Sequence, residues 1–215
     1  MSFAEYFLSN YSQVLDATLA HAALVLESLA LAVLIAVPVA ALTYRTGTPR
    51  AVAVGTAALL LTIPSYALFG LLIAPLGLGS APAIVAITLY GLLPVVRNSI
   101  VGLREVDTAV VESARGMGMN RLRLLLTVEL PIAWPVIVAG LRVAAQLLLG
   151  IAAIAAAVNG PGLGNLILDG LSKAGTPFAV YLTLEGIAGI VVLAVLFDLA
   201  FVALNRLTTS RGIRD

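Results

Sequence analysis

Residues 105–131 read EVDTAVVESARGMGMNRLRLLLTVELP and form the longest polar interruption in an otherwise apolar chain. Three of the 12 basic residues and four of the 11 acidic residues lie in this stretch. A charge at the middle of a bilayer costs about 2.5–3.5 kcal/mol even on the most lenient insertion scale. We therefore predict that the stretch is a loop on one side of a membrane and not part of a membrane span.

The loop carries the start and stop signals of two short helices. Asp107 or Thr108 can cap a first helix that runs to about Met117. Gly118 then supplies a residue able to take the left-handed conformation that ends helices. Asn120 can cap a second short helix that ends before Pro131. Two short helices at an angle predict a knob that protrudes from the protein and is available to a partner.

The composition of the whole chain is that of an integral membrane protein. Hydrophobic residues make up 61% and charged residues 11%, against about 45–50% and 25% in soluble domains. The mean hydropathy is +1.09. The chain has no cysteine and one histidine, His21, so we expect neither a disulfide framework nor a metal site. A net charge of +1 gives no indication of a nucleic-acid partner.

The motifs of nucleotide hydrolysis and of nucleophilic catalysis are missing from the sequence. There is no G-x-x-x-x-G-K-[ST] phosphate loop, and the only lysine, Lys173, lies in the unrelated run LSKAG. A Ser-His-Asp set would have to use the single histidine. We predict that the chain is not an enzyme and binds no cofactor of its own.

Five apolar stretches are long enough to cross about 30 Å of hydrocarbon, which takes roughly 20 residues each. They predict an all-α, polytopic membrane protein with about five transmembrane helices. The expected spans are Ala22–Tyr44, Ala51–Ala74, Ala81–Leu103, Ile132–Val158 and Phe178–Asn205.

The prediction divides the chain into three parts. Apolar residues at a three-to-four spacing, among them Phe3, Phe7 and Val14, indicate an amphipathic helix at the membrane surface near the N-terminus. The expected parts are an interfacial segment over residues 1–20, a membrane bundle over residues 21–205, with loops 105–131 and 159–177 on opposite sides, and a polar tail over residues 206–215.

The positions of the basic residues predict the orientation. If the turn between the first two spans is cytoplasmic, nine of the 12 basic residues lie on the cytoplasmic side and only Lys173 lies outside. We therefore expect the N-terminus outside the cell and the C-terminus and the polar loop inside. The nine residues are Arg45, Arg50, Arg104, Arg115, Arg121, Arg123, Arg206, Arg211 and Arg214.

Five charges remain in or near the spans and need partners or a wet cavity. Glu27 and Glu185 lie near outer helix ends, where they can reach headgroup water. Of the others, we expect Arg97 or Arg142 to pair with an acid such as Asp198 and thereby hold one conformation of the bundle.

The loop over residues 159–177 begins with the turn-rich run NGPGLG. It leads into a short helix with an apolar face. Two interpretations remain open at this point: an outer gate built from Gly162, Gly164, Ile167 and Gly170, or a plain interfacial helix.

The mid-chain loop resembles a known motif. Glu112-Ser113-Ala114, followed by Gly118 and by VELP at residues 128–131, is similar to the EAA loop of ABC importer permeases. In that family the loop carries a coupling helix that docks into a groove of the cytoplasmic ATPase. The resemblance implies a docking segment made of Glu112, Ser113, Ala114, Arg115, Gly116, Met117, Gly118 and Met119.

The resemblance extends over about residues 20–172 and is specific to the permeases of osmoprotectant importers, which carry glycine betaine, choline, carnitine or proline betaine. Two departures stand out: Ser113 replaces the usual alanine, and Asn159 and Pro161 stand where small residues are common. The matching motifs include TIPS at residues 62–65, YGLLPVVRN at 90–98, ESARGMGM at 112–119, VELPIAWP at 128–135, GLR at 140–142 and GLGNLILDGL at 162–171.

The resemblance implies a type I importer (MetI-like) transmembrane domain in the inner or plasma membrane of a prokaryote. The expected partners are a cytoplasmic ABC ATPase dimer that binds ATP and Mg²⁺, a second permease subunit and an extracellular or lipid-anchored substrate-binding protein. Two alternatives are a related importer for an amino acid such as methionine, and a stand-alone secondary transporter or channel.

Overall fold

The computed structural model describes residues 3–209, and the regular elements in that range are all helices. This confirms the predicted all-α class. The α-helices are α1 (Phe3–Thr43), α2 (Gly47–Thr62), α3 (Ser65–Leu76), α4 (Ser80–Arg104), α5 (Thr108–Gly116), α6 (Arg121–Leu124), α7 (Leu130–Ala152), α8 (Gly164–Ser172) and α9 (Pro177–Thr208). A π-helical turn at Leu125–Glu129 precedes α7, and a 3₁₀ turn at Ala153–Val158 follows it.

Helix α4 lies at the centre and packs against α1 on one side and α7 on the other. The approach is close, because a Cβ added to Gly91 would lie 3.1 Å from the Cβ of Ala32 in α1. One added to Gly102 would lie 2.9 Å from the carbonyl oxygen of Ala133 in α7. Small residues at such positions let membrane helices pack backbone to backbone. Helices α2 and α9 pack on the outside of this core.

Four helical stretches of the described residues are long and apolar enough to cross a membrane, and the bent pair α2–α3 makes a fifth when counted as one broken span. This agrees with the prediction of about five. The third and fifth predicted spans correspond closely to α4 and α9.

The interfacial segment predicted for residues 1–20 is not a separate element. Within the described residues it is the first half of α1, a single helix of 41 residues and about 60 Å. No glycine or proline interrupts the chain before position 38, so nothing locally ends the helix between the expected surface segment and the first span.

The second predicted span, Ala51–Ala74, corresponds to a broken span, in which the axes of α2 and α3 meet at 95°. Ile63 has extended backbone, with φ −66° and ψ 129°, since a following proline disfavours the helical conformation. Tyr90 of α4 donates a 2.8 Å hydrogen bond to the Ile63 carbonyl. This bond satisfies a backbone group that the break leaves free.

The predicted polar tail begins too early, because α9 continues to Thr208. Residues 206–208 therefore belong to the last helix. The rest of the predicted tail, residues 210–215 with Arg211 and Arg214, lies outside the described residues.

Close packing at Gly140 makes a testable prediction about stability. A Cβ at this position would overlap that of Asn98 and lie 3.0 Å from the carbonyl oxygen of Pro94, whereas Gly150 on the same helix faces open space. We expect Gly140→Ala to lower the free energy of unfolding by about 1–3 kcal/mol through overpacking. Gly150→Ala should cause no loss, since alanine is the better helix former. Thermal unfolding of both purified variants in detergent checks this, and equal midpoints would contradict it.

Candidate functional site

The knob predicted for the mid-chain loop is the helix α5. Asp107 precedes it, and its carboxylate accepts a 2.8 Å hydrogen bond from the backbone N–H of Ala109. Of the two candidate caps, the structure therefore uses Asp107. The carboxylate also lies at the helix N-terminus, where the helix dipole favours negative charge.

The C-terminus of α5 is a Schellman motif. The N–H of Met119 donates to the carbonyl of Ala114 over 3.3 Å, and the N–H of Gly118 donates to that of Arg115 over 2.9 Å. Gly118 has a φ of +81°, which is the left-handed conformation predicted for it. The chain turns at this residue and leaves α5 in a new direction.

The second short helix of the loop is only partly as predicted. Asn120 caps α6, and its side-chain oxygen accepts a 2.9 Å hydrogen bond from the N–H of Arg123. The helix does not stop before Pro131, because residues 121–158 form one helical stretch of 38 residues. The π-helical turn ends at Glu129, two residues before Pro131. Such a turn is wider than an α-helical one. Pro131 has no backbone N–H to donate to a normal α-helical turn. The helix of the bundle therefore continues without a break into α6 and the π-helical turn, which together form the base of the knob.

The residues predicted to dock a partner lie together on α5 and on its C-terminal turn. Ala114 is buried and Met119 half-buried. Two large apolar side chains are exposed beside them: Met117 at 71% and Leu122 at 64%. An exposed apolar surface rimmed by charge is typical of a protein interaction site. The exposed candidates are Glu112, Ser113, Arg115, Gly116, Met117 and Gly118.

A buried polar cluster, which the sequence analysis did not find, joins the base of the knob to the end of α1. Glu129 is 2% exposed. Its carboxylate accepts a 2.6 Å hydrogen bond from the Tyr44 hydroxyl and another of 2.6 Å from the Arg45 guanidinium. Buried charges in proteins are paired in this way. The cluster connects the first span to the start of α7 at the level of the knob.

Burial, and then the hydrogen bond to the Glu129 carboxylate, raise the pKa of Tyr44 to about 12. A raised pKa means that the folded state favours the neutral hydroxyl. The stability that this provides is complete below the ordinary tyrosine value near 10 and is lost as the pH rises through about 12. Tyr44 therefore remains a hydrogen-bond donor to Glu129 throughout the physiological range.

A groove of about 350 Å³ separates α5 from the α1–α2 turn. The cluster forms part of its wall. The four arginines in its lining make it strongly basic, although Glu112 and Glu129 also face it. These arginines are Arg45, Arg50, Arg104 and Arg115.

On an exposed side of the bundle, Arg142 of α7 pairs with Asp198 of α9. Two hydrogen bonds join the guanidinium to the carboxylate, from Nε over 2.5 Å and from Nη2 over 2.8 Å. The geometry confirms the predicted pairing with Asp198 and selects Arg142 over Arg97. Arg97 is exposed and takes part in no ion pair with another described residue.

The loop over residues 159–177 forms α8, and three of the four gate candidates fit tightly there. A Cβ at Gly162 would lie 2.8 Å from Nδ1 of His21. One at Gly164 would overlap the carbonyl oxygen of Ala153, and one at Gly170 the hydroxyl of Thr183. The fourth, Ile167, is half-buried.

These contacts pack α8 against the 3₁₀ turn and α9, so it is more than a plain interfacial helix. Its role as a gate stays a prediction.

Two buried polar groups at the α8 end of the bundle were not predicted. His21 is fully buried, with Nε2 lying 3.1 Å from the carbonyl oxygen of Leu149. Glu185 does not reach water as expected: it is 2% exposed, and its carboxylate has no hydrogen-bond partner. No group of described residues has the composition of a metal site.

An all-helical membrane bundle with a capped helix projecting between two of its spans is the architecture expected for the transmembrane subunit of an ABC importer. Over residues 28–210 the chain matches the family described as "Binding-protein-dependent transport system inner membrane component". The chain belongs to this family of permeases.

Similar proteins are found over the full length of the chain. The osmoprotectant import permease protein OsmW of Salmonella typhimurium is 38% identical over 220 residues, which cover 100% of both chains. The carnitine transport permease protein OpuCB of Listeria monocytogenes is 34% identical over 98% of this chain and 94% of its own. The choline transport system permease protein OpuBB of Bacillus subtilis is 32% identical over 98% and 95%.

Among solved structures, a chain of the methionine ABC transporter MetNI in an inward-facing conformation superimposes with a TM-score of 0.80. The match covers 98% of this chain and 100% of that one, at 22% identity. It confirms the predicted MetI-like fold. At this identity the likeness concerns the fold and does not extend to the solute.

Proposed function

We propose that the chain is the permease subunit of an ATP-driven importer of osmoprotectants such as glycine betaine, choline or carnitine. The observation that carries the proposal is the end-to-end similarity to permeases named for these solutes. An importer for an amino acid such as methionine is the weaker candidate, because that likeness is one of fold alone. Family membership counts against a stand-alone channel or secondary transporter.

The docking segment on α5 is the contact with a cytoplasmic ATPase dimer in this proposal. Its exposed apolar residues and the charge of Glu112 suit a protein groove. ATP and Mg²⁺ bind to that partner and not to this chain, since the sequence lacks a phosphate loop. A second permease subunit and a substrate-binding protein outside the membrane complete the importer.

Movement of the ATPase would reach the membrane by two routes. The helix from α6 into α7 is continuous, so a displacement of the knob base tilts α7. The buried contacts of Glu129 with Tyr44 and Arg45 carry the same displacement to α1. Both helices pack on α4. The bundle therefore moves as a unit between inward-open and outward-open states.

Isolation of the complex tests the proposed function. We expect the tagged chain, purified from native membranes, to retain an ABC ATPase and a binding protein. The purified binding protein should bind glycine betaine or choline in a titration. Absence of an ATPase would contradict the coupling role, whereas a binding protein selective for methionine would contradict the solute class only.

The proposed orientation, with the N-terminus outside and α5 in the cytoplasm of a prokaryotic cell, predicts a labelling pattern. The chain has no cysteine, so single cysteines can be introduced without background. We expect an impermeant maleimide to label Lys173→Cys in intact cells and Glu112→Cys only in inverted vesicles, because α5 faces the cytoplasm. Both positions are exposed in the isolated chain, so the chain is expressed without its ATPase for this comparison. Labelling of position 112 from outside would reverse the topology.

A further inference from the structure

A row of polar side-chain contacts, which we call the polar seam, joins α7 to α9. At one end the indole N–H of Trp134 donates to the hydroxyl of Thr208 over 2.7 Å. Arg142 and Asp198 pair two turns further along α7, and Gln146 donates to the carbonyl of Ala194 over 2.9 Å. The positions 134, 138, 142 and 146 lie on one face of α7. The two helices therefore meet along a polar line within an otherwise apolar surface.

The ion pair on this seam is open to its surroundings. The side chains of Arg142 and Asp198 are 46% and 37% exposed. Asp198 lies ten residues, or about 15 Å, from the Thr208 end of α9, within the stretch that is long and apolar enough to cross a membrane. Ionised residues at such depth line aqueous pathways or face protein and do not face lipid. This side of α7 and α9 therefore faces water or protein in the assembled importer, and we take it to face the translocation pathway.

A groove of about 610 Å³ opens beside the pair, within the range of about 300–1,000 Å³ usual for small-molecule sites. Arg142 and Gln146 line it from α7, and Phe201, Asn205 and Arg206 line it from α9. Phe201 stands three residues after Asp198 and so shares its side of α9. The groove therefore presents the Arg142 guanidinium and an aromatic ring, and Asp198, which is not part of its lining, is held beside it by its hydrogen bonds to Arg142.

We propose that this groove is a transient binding site for the solute on its way through the membrane. Arg142 binds the carboxylate of a betaine, while Asp198 and Phe201 bind its quaternary ammonium group. This inference rests on the proposed function and names the residues that would carry it out.

The chemistry of the exchange supports this assignment. A zwitterion carries one charge of each sign, so it can replace both partners of the Arg142–Asp198 pair without leaving either ion alone. The planar guanidinium binds a carboxylate through two parallel hydrogen bonds, as it does with Asp198 here. A trimethylammonium group favours an aromatic face. Choline has the ammonium group but no carboxylate, so its passage depends on Asp198 and Phe201 and not on Arg142.

The test compares two solutes in proteoliposomes that contain the complete importer with its ATPase and binding protein. We expect Arg142→Gln to reduce glycine betaine uptake at least tenfold and choline uptake less than threefold. Asp198→Asn should reduce the uptake of both solutes at least tenfold. The charge-swapped double variant, Arg142→Asp with Asp198→Arg, should not restore betaine uptake. In this variant the guanidinium and the carboxylate have exchanged places relative to Gln146 and Phe201.

An equal loss of both solutes in Arg142→Gln, with recovery in the swapped variant, would overturn the proposal and leave the pair a structural lock. If Arg142→Gln does not assemble, Arg142→Lys replaces it in the test, because lysine keeps the charge and loses the two parallel N–H donors of the guanidinium. An unchanged ratio of betaine uptake to choline uptake in this variant would overturn the proposal as well. A wild-type importer that carries neither solute would instead contradict the proposed function.

Discussion

Replacement of Gly118 by valine is expected to reduce solute uptake at least tenfold while the protein still inserts and the ATPase still turns over. Gly118 has a φ of +81°, and a β-branched residue in this conformation is a genuine outlier. The valine would therefore break the Schellman motif that ends α5, although open space surrounds the position. Without this turn, α5 no longer points at the ATPase. Uptake and ATP hydrolysis, measured together in proteoliposomes, check the expectation.

Two control variants separate backbone conformation from side-chain bulk. Gly118→Asn should keep most of the uptake, because asparagine tolerates the left-handed conformation. Gly116→Ala adds a methyl group within α5, where nothing lies within 4 Å, and should have little effect. Full coupled uptake by Gly118→Val would remove the docking assignment.

The second large effect is expected at Glu129, where alanine should lower the free energy of unfolding by about 2–3 kcal/mol. Loss of one partner from a fully buried ion pair costs about 3–5 kcal/mol, and we expect a smaller loss here because Arg45 is 31% exposed and can turn to water. The buried Tyr44 hydroxyl would lose its acceptor, which adds to the cost. Chemical or thermal unfolding of the purified chain in detergent measures the difference.

The matched control is Glu105→Ala, an exposed glutamate of the same loop, for which we expect a change within about 0.5 kcal/mol. Tyr44→Phe should cost about 1 kcal/mol, the value of one hydrogen bond. If Glu129→Ala unfolded at the same midpoint as Glu105→Ala, the cluster would contribute nothing to stability. The link between the knob base and α1 would then have to lie elsewhere.

Local signals account for the parts of the site that were predicted correctly. The cap at Asp107, the left-handed Gly118 and the cap at Asn120 each depend on a residue and its immediate neighbours. The errors arose where a local signal was ambiguous. Proline at position 64 separates two helices at 95°, whereas prolines 38, 94 and 135 lie inside continuous helices. The same residue type has different consequences because neighbouring helices decide whether a bend can be packed.

The long α1 differs from the predicted division in another way. An amphipathic spacing near the N-terminus was interpreted as a helix on the membrane surface, but that interpretation needed a break that the sequence does not contain. Residues 3–43 hold one proline and no glycine, and the helix is continuous. A change of environment along a chain does not by itself end a helix, because backbone hydrogen bonds depend on local conformation and not on depth in the bilayer.

The sequence by itself determined that the chain is a helical membrane protein, approximately where its spans lie, and that a capped helix projects from its middle. These properties follow from hydrophobic length, charge and residues next to one another in the chain. Only the tertiary structure decided that Glu129 meets Tyr44, 85 positions away, and that Asp198 meets Arg142, 56 positions away. Contacts of this kind depend on the rotation and depth at which separate helices pack, and no local pattern specifies either.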